Sequence, residues 1–204
     1  MKIIGLTGPS GAGKSTLCAK FEDLGIPCIN TDEVYHKITN THSACLDELK
    51  DKFGKSIIND DGSLNRGALA KIVFEGDNKN ENLANLNSTT HKYVWKETNR
   101  ILNEYSNENR VAAVIDAPAL FSSNVFVDAC DFIISVLCDK DVRINRIMTR
   151  DNISYEKALA RVEAQPSDEF FIENSDYFIT NCGKEDEMNE KLFSILEKEE
   201  IRTE

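Results

Sequence analysis

Five short apolar runs punctuate the chain: Ile3-Ile4-Gly5-Leu6-Thr7, Ile26-Pro27-Cys28-Ile29, Val111-Ala112-Ala113-Val114-Ile115, Phe132-Ile133-Ile134-Ser135-Val136-Leu137 and Asp176-Tyr177-Phe178-Ile179-Thr180. Each has strand length, and the segments between them carry helical periodicity or turn residues. Strand, loop and helix therefore alternate five times, which predicts an α/β fold with a parallel sheet and helices on both faces. A helix should follow the first strand and run to Asp23-Leu24, where Gly25 closes it. Another covers Glu33–Ile38, and a further pair covers the arginine-bearing stretch around 143–150 and Ser154–Gln165, which Pro166 ends. Residues 41–107 have a different character. Helical stretches at Leu46–Phe53, Arg66–Phe74 and Leu83–Tyr105 are separated by turn signals at Gly54 and Asn59-Asp60-Asp61-Gly62. Such a helical excursion between two strands suggests a substrate lobe carried by the sheet.

The first strand runs directly into Gly8–Ser15, which reads G-x-x-x-x-G-K-S. This is the spacing of a phosphate-binding loop. Gly8, Gly11 and Gly13 let the backbone come close to a ligand, so that successive N–H groups, including those of Gly11, Ala12 and Gly13, form an anion nest at a helix start. Lys14 puts a cation on the terminal phosphates, Ser15 offers a hydroxyl to Mg²⁺, and Thr16 lies one residue further into the helix. A flexible glycine loop is the plain alternative, and the strand before it and the helical run after it argue against that.

Two carboxylates end predicted strands. Asp32 is read either as a helix N-cap or as a base that takes the proton of an attacking hydroxyl. Asp116 is either a turn acid before Ala117-Pro118 or a carboxylate on the Mg²⁺ side of a nucleotide site. Arg143, Arg146 and Arg150, spaced i, i+3 and i+7, fall on one helix face, either as a solvated stripe or as forks for a polyphosphate.

Composition narrows the picture. The chain has 204 residues with a net charge of −11, which argues against a nucleic-acid partner held on a broad basic face. Much of that acidity lies between Glu185 and Glu204 and reads as a solvated helix face or tail. The six cysteines show no C-x-x-C pair, as expected of reduced, buried thiols in a cytoplasmic protein. No secretory leader and no apolar run of membrane-spanning length is expected. The guanine-selecting N-K-x-D pattern is missing, which disfavours a GTP-driven switch.

With these residues in place, the chain resembles the dephospho-coenzyme A kinases over nearly its whole length. The opening GLTGPSGAGKST is similar to the family's loop, and Asn30-Thr31-Asp32 to its Asp-Ala-Asp. Asp61-Gly62-Ser63-Leu64-Asn65-Arg66 resembles its DG-x-L-x-R stretch, and Asp116-Ala117-Pro118-Ala119-Leu120-Phe121 its D-x-P-L-L-F. Arg146, Arg150, Asp151 and Ala164-Gln165 resemble its lid, and Asp176, Asn181 and Gly183 its adenine-side region. Three positions depart: Asn30 replaces the first aspartate, Lys92 follows His91 where proline is usual, and Ser122 replaces a glutamate.

The resemblance implies a single P-loop NTPase-type three-layer domain over 1–204. Its nucleotide-binding core covers about 1–31, 110–138 and 172–204, its helical acceptor lobe about 32–109 and its lid about 139–171. It implies ATP, Mg²⁺ and dephospho-coenzyme A as ligands. Asp32, Lys14 and Arg150 would be catalytic. The nucleotide would be held by the loop, Arg146, Asn181 and Gly183, the acceptor by Arg66 and His91, and the metal by Ser15 and Asp116. Two other readings stay open at this point: another small-molecule kinase with a nucleoside or nucleotide acceptor, and a catalytically silent ATP-binding regulator.

Overall fold

The computed structural model describes residues 1–40, 42–75, 78–183 and 185–202, without the Glu185 side chain. The Glu185 side chain and Glu204, which the acidic-tail reading includes, lie outside what is described. The chain divides into two compact units, Met1–Ile29 with Glu104–Glu204, and Asn30–Asn103.

The first unit is built on a five-stranded sheet in the order β2-β3-β1-β4-β5. The strands are β1 (Lys2–Thr7), β2 (Cys28–Asn30), β3 (Ala112–Asp116), β4 (Phe132–Leu137) and β5 (Tyr177–Thr180). Parallel registers join Leu6 to Asp116, Leu6 to Ile134 and Leu137 to Thr180. β3 and β4 are buried at every position, as expected of parallel strands covered on both faces. Side chains alternate across a strand. Ile4 and Leu6 join one core with Leu17 and Phe21 of α1 (Lys14–Asp23) and Met188, Leu192 and Ile195 of α10 (Glu185–Lys198). Between them, Gly5 faces the other layer, where an added Cβ would press on Cys130, Ile133 and Leu120. That layer holds α6 (Asn124–Ala129) and α9 (Asp168–Glu173), two helices of six residues that the sequence pattern did not announce.

Two aspartates stitch the amino ends of the strands. Asp131 Oδ2 accepts from Ile3 N at 2.7 Å, and Asp176 Oδ2 accepts from Ile133 N at 2.8 Å. Helices α7 (Lys140–Asp151) and α8 (Tyr155–Glu163) pack through Ile144, Ile147, Ala158 and Val162.

The second unit is helical: α2 (Thr31–Asn40), α3 (Ala44–Phe53), α4 (Arg66–Glu75) and most of α5 (Lys79–Asn107). Its own core gathers Cys45, Leu46, Leu49, Ile57, Leu64, Leu69 and Val73. α5 extends beyond the expected Leu83–Tyr105 at both ends. Its asparagines weaken local propensity, but Thr89, Thr90, Val94, Thr98 and Leu102 are buried, and tertiary packing overrides the preference.

Candidate active site

In the sheet unit, β1 delivers the chain into Gly8, and α1 begins at Lys14. Gly13 is the residue before α1 and lies in the left-handed region (φ 95, ψ 35). A Cβ there would overlap the Asn181 amide, and one on Gly8 (φ 136) would overlap the Val136 carbonyl oxygen. The loop thus needs glycine both for its turn and for its fit against β4 and the segment after β5. Lys14 Nζ donates to Gly8 O at 2.8 Å, which curls its side chain back over the loop. Ser15 and Thr16 are exposed in the first turn of α1.

The arginine helix does three different things. Arg143 is 5% exposed, donates to Ser10 O at 3.1 Å and to Gln165 Oε1 at 2.9 Å, and pairs with Asp168 at 3.6 Å. Gln165 Oε1 also accepts from Ser10 N at 3.1 Å. Arg143 is therefore a clamp under the loop and fits neither the solvated-stripe nor the polyphosphate reading of the three arginines: it is buried and three protein acceptors occupy it. Arg146 Nη1 donates to Gly11 O (3.2 Å), Ala12 O (3.3 Å) and Cys138 Sγ (3.5 Å). It thereby occupies loop carbonyls, while Ala12 N, expected in the anion nest, donates to Pro9 O at 3.2 Å. Arg150 is the exposed one. It is held by both Asp151 oxygens (2.7 and 3.0 Å), and Nη2 reaches Ser10 Oγ at 3.3 Å. Arg161 also binds Asp151. The Arg150 hydrogen bond, with both guanidinium charges, holds the Asp151 carboxyl down at about 2.

Asp116 ends β3 beside Leu6 and is 7% exposed. Cys18 of α1 is hydrogen-bonded to Cys28 and to Asp116, and the Cys28 bond, burial and the Asp116 charge all push its thiol up. Ser15 and Asp116 offer a hydroxyl and a carboxylate, the hard oxygen donors that Mg²⁺ takes when it keeps several waters. Asn181 follows β5, is buried, and is fixed by its N–H to Leu137 O at 2.8 Å, with its side chain against Gly13. Gly183 is exposed two residues on. Asp176 lies at the opposite end of β5, five residues or roughly 16 Å of strand away, and caps the Ile133 N–H. Its placement beside the adenine is corrected: it holds the sheet together.

In the helical unit, Asp32 is exposed in the first turn of α2. The N-cap reading of Asp32 is overturned. Asn30 is the cap, its Oδ1 accepting from Asp32 N (2.9 Å) and Glu33 N (3.1 Å). The Asp32 carboxylate is left out of helix capping. Arg66 Nη2 donates to Thr39 Oγ1 (3.2 Å) and Asn40 Oδ1 (3.3 Å), while its Nε is buried and makes no hydrogen bond among the described residues. His91 is half-buried in α5, and burial lowers its pKa, which favours the neutral ring. A cleft of about 270 Å³ opens between Ile38, Ser43, Tyr93, Lys96, Glu97 and Arg100. Sequence reasoning missed Asn30 as a cap and Glu48, whose carboxylate binds Lys92 (2.5 Å), Tyr93 Oη (3.1 Å) and Lys52 (3.4 Å). Lys92 is thus the partner of a partly exposed carboxylate.

No helix among the described residues is long and apolar enough to cross a membrane. The described cysteines are free thiols, and Cys182 is exposed, contrary to the expectation of buried thiols throughout.

A parallel sheet with a glycine loop at the end of β1, a lysine at the start of α1 and arginines from α7 at that loop defines a P-loop kinase. A solved structure from Thermus thermophilus superposes with a TM-score of 0.78 at 27% identity, covering 97% of both chains. A shikimate kinase from Acinetobacter baumannii, at 16% identity and a TM-score of 0.53 over 99% of this chain and 96% of its own, shares the fold. The family model for dephospho-CoA kinase matches residues 2–187. The dephospho-CoA kinase of Bacillus cereus is 33% identical over 196 residues, 96% of each chain. That of Carboxydothermus hydrogenoformans is 33% identical over 198 residues, 97% of this chain and 94% of its own. The chain belongs to the dephospho-CoA kinase family of phosphotransferases.

Proposed function

We propose that this chain transfers the γ-phosphoryl group of ATP to the ribose 3′-hydroxyl of dephospho-coenzyme A, giving coenzyme A and ADP in the cytoplasm. The observation that carries the reading is the loop itself: Arg146 takes its Gly11 and Ala12 carbonyls and Lys14 folds over it, which supports a polyphosphate held by that cation and by the N–H groups the loop does not use internally. Phosphoryl transfer asks the protein mainly for positioning and for charge on the equatorial oxygens. Lys14 and the loop amides supply both to ATP, with Asn181 and Gly183 on the adenine side. Ser15 and Asp116 would hold Mg²⁺, which would supply neutralisation of phosphate charge when bound. Arg150, already at Ser10, adds positive charge and helps exclude water, the competing acceptor. Asp32 takes the proton of the acceptor hydroxyl, a role for which Asn30 frees it by doing the capping. Arg66 offers its guanidinium charge to an acceptor phosphate, and His91, neutral at physiological pH, serves as a hydrogen-bonding group in the acceptor lobe.

The test is ADP release from Mg·ATP with a panel of acceptors. Dephospho-coenzyme A should support turnover far above nucleosides, shikimate or water. Preference for any other acceptor, or ATP binding with no phosphoryl transfer, contradicts the reading.

A further inference from the structure

The adenine-side segment carries two thiols that the reaction does not use. Leu137 of β4 is in register with Thr180 of β5, so Cys138 leaves β4 beside Asn181, with Cys182 next along the chain. Asn181 N donates to Leu137 O at 2.8 Å, which holds the two strand ends together, and Cys182 is near enough to raise the Cys138 pKa. Cys138 is 1% exposed and accepts from Arg146 Nη1, whereas Cys182 is open to solvent. We propose that Cys138 and Cys182 form a modification site, a dithiol that small-molecule disulfides oxidise to an intramolecular disulfide, and that this bond weakens ATP binding.

The division of labour follows from exposure. Burial pushes the Cys138 thiol up to about 11, so the thiolate that attacks first is that of Cys182. The Cys182 sulfur displaces one thiolate from the small disulfide and leaves a mixed disulfide on the protein. Cys138 then gives its proton to solvent and attacks the Cys182 sulfur, releasing the second small thiolate. Two protein thiols are oxidised and one small disulfide is reduced to two thiols. Thiols on neighbouring, hydrogen-bonded strand ends are placed for a disulfide with a small backbone movement.

The consequence for the nucleotide rests on the proposed site. Arg146 Nη1 shares its donation among Gly11 O, Ala12 O and Cys138 Sγ, and Asn181 packs on Gly13. Drawing Cys182 onto Cys138 pulls the Asn181–Gly183 segment toward β4. It changes the sulfur that Arg146 contacts and shifts the amide that lies against the loop.

The experiment treats the full chain with oxidised glutathione, then maps disulfides on unreduced peptides and measures ATP affinity in parallel. The expected result is a Cys138–Cys182 linkage, a rise of at least tenfold in the ATP dissociation constant, and recovery with dithiothreitol. Cys182→Ser should keep its ATP affinity in the oxidant. A linkage between Cys18 and Cys28 instead, a glutathione adduct that stays on Cys182, or equal sensitivity in Cys182→Ser overturns the inference. Failure of the reduced protein to bind ATP would instead count against the nucleotide-site reading, because the disulfide map does not depend on it.

Discussion

In the sheet unit, the phosphate-binding loop is held by groups that leave little to chance. Arg143 and Arg146 take carbonyls from Ser10, Gly11 and Ala12, Gln165 takes the Ser10 N–H, and β4 and Asn181 crowd the glycines. In the helical unit, the candidate residues are side chains on helix surfaces. Asp32 is exposed, Arg66 is tied through only part of its fork, and His91 is half-buried with burial alone acting on its ring. One unit presents a preorganised backbone, and the other presents individual functional groups. The first solution suits ATP, whose phosphates are alike and can be met by repeated N–H donors. The second suits an acceptor recognised by specific contacts, where each group matters separately.

That contrast can be broken in graded steps. Lys14→Ala should cause a large loss, about 10³-fold in kcat, with the melting temperature and far-UV circular dichroism essentially unchanged. A collapse of the fold instead would show that Lys14 serves the loop's structure through Gly8. Arg66→Ala should raise the KM for the acceptor about 10–100-fold, as loss of a charge-assisted phosphate contact does, and leave the KM for ATP alone. Equal rises in both would place Arg66 outside acceptor binding. Asn30→Ala should cost about 1 kcal/mol of stability through the lost cap, measured by denaturant unfolding. No change would mean that another group caps α2.

The smallest effect is a pH dependence. The Lys92 hydrogen bond, with help from Tyr93 and Lys52, draws Glu48 from the ordinary 4.5 to about 2. The folded state therefore binds this proton less readily than the unfolded chain. The stabilisation is present above about pH 4.5 and fades as pH falls toward 2. Glu48→Gln should flatten the acid side of the melting-temperature profile, and an unchanged profile would remove Glu48 from acid stability.

The same contrast explains what the sequence could tell. The loop, β4 and the end of α1 at Gly25 are legible because spacing, an unbroken apolar run and a cap residue are local signals. Arg143 is not, because its burial depends on Gln165 and Asp168, more than twenty positions away. Asp176 looks like a site residue by its neighbours, yet its carboxylate answers an N–H on another strand. Asn30 and Asp32 are both cap-type residues two positions apart, and only the helix start decides between them. α6 and α9 are too short for a period to show. In the helical unit, the lysine at position 92 becomes intelligible only when Glu48, 44 residues earlier, is seen beside it.

The central claim is that ATP is held by the sheet unit while the proton acceptor comes from the helical one. Asp32→Asn tests it most directly, with kcat and the ATP dissociation constant measured on the same preparation. The account predicts that kcat falls about 10²–10⁴-fold while ATP affinity stays within about twofold of the parent, as expected of a group that acts on the transition state alone. Near-normal turnover, or ATP affinity lost in proportion to kcat, would contradict it.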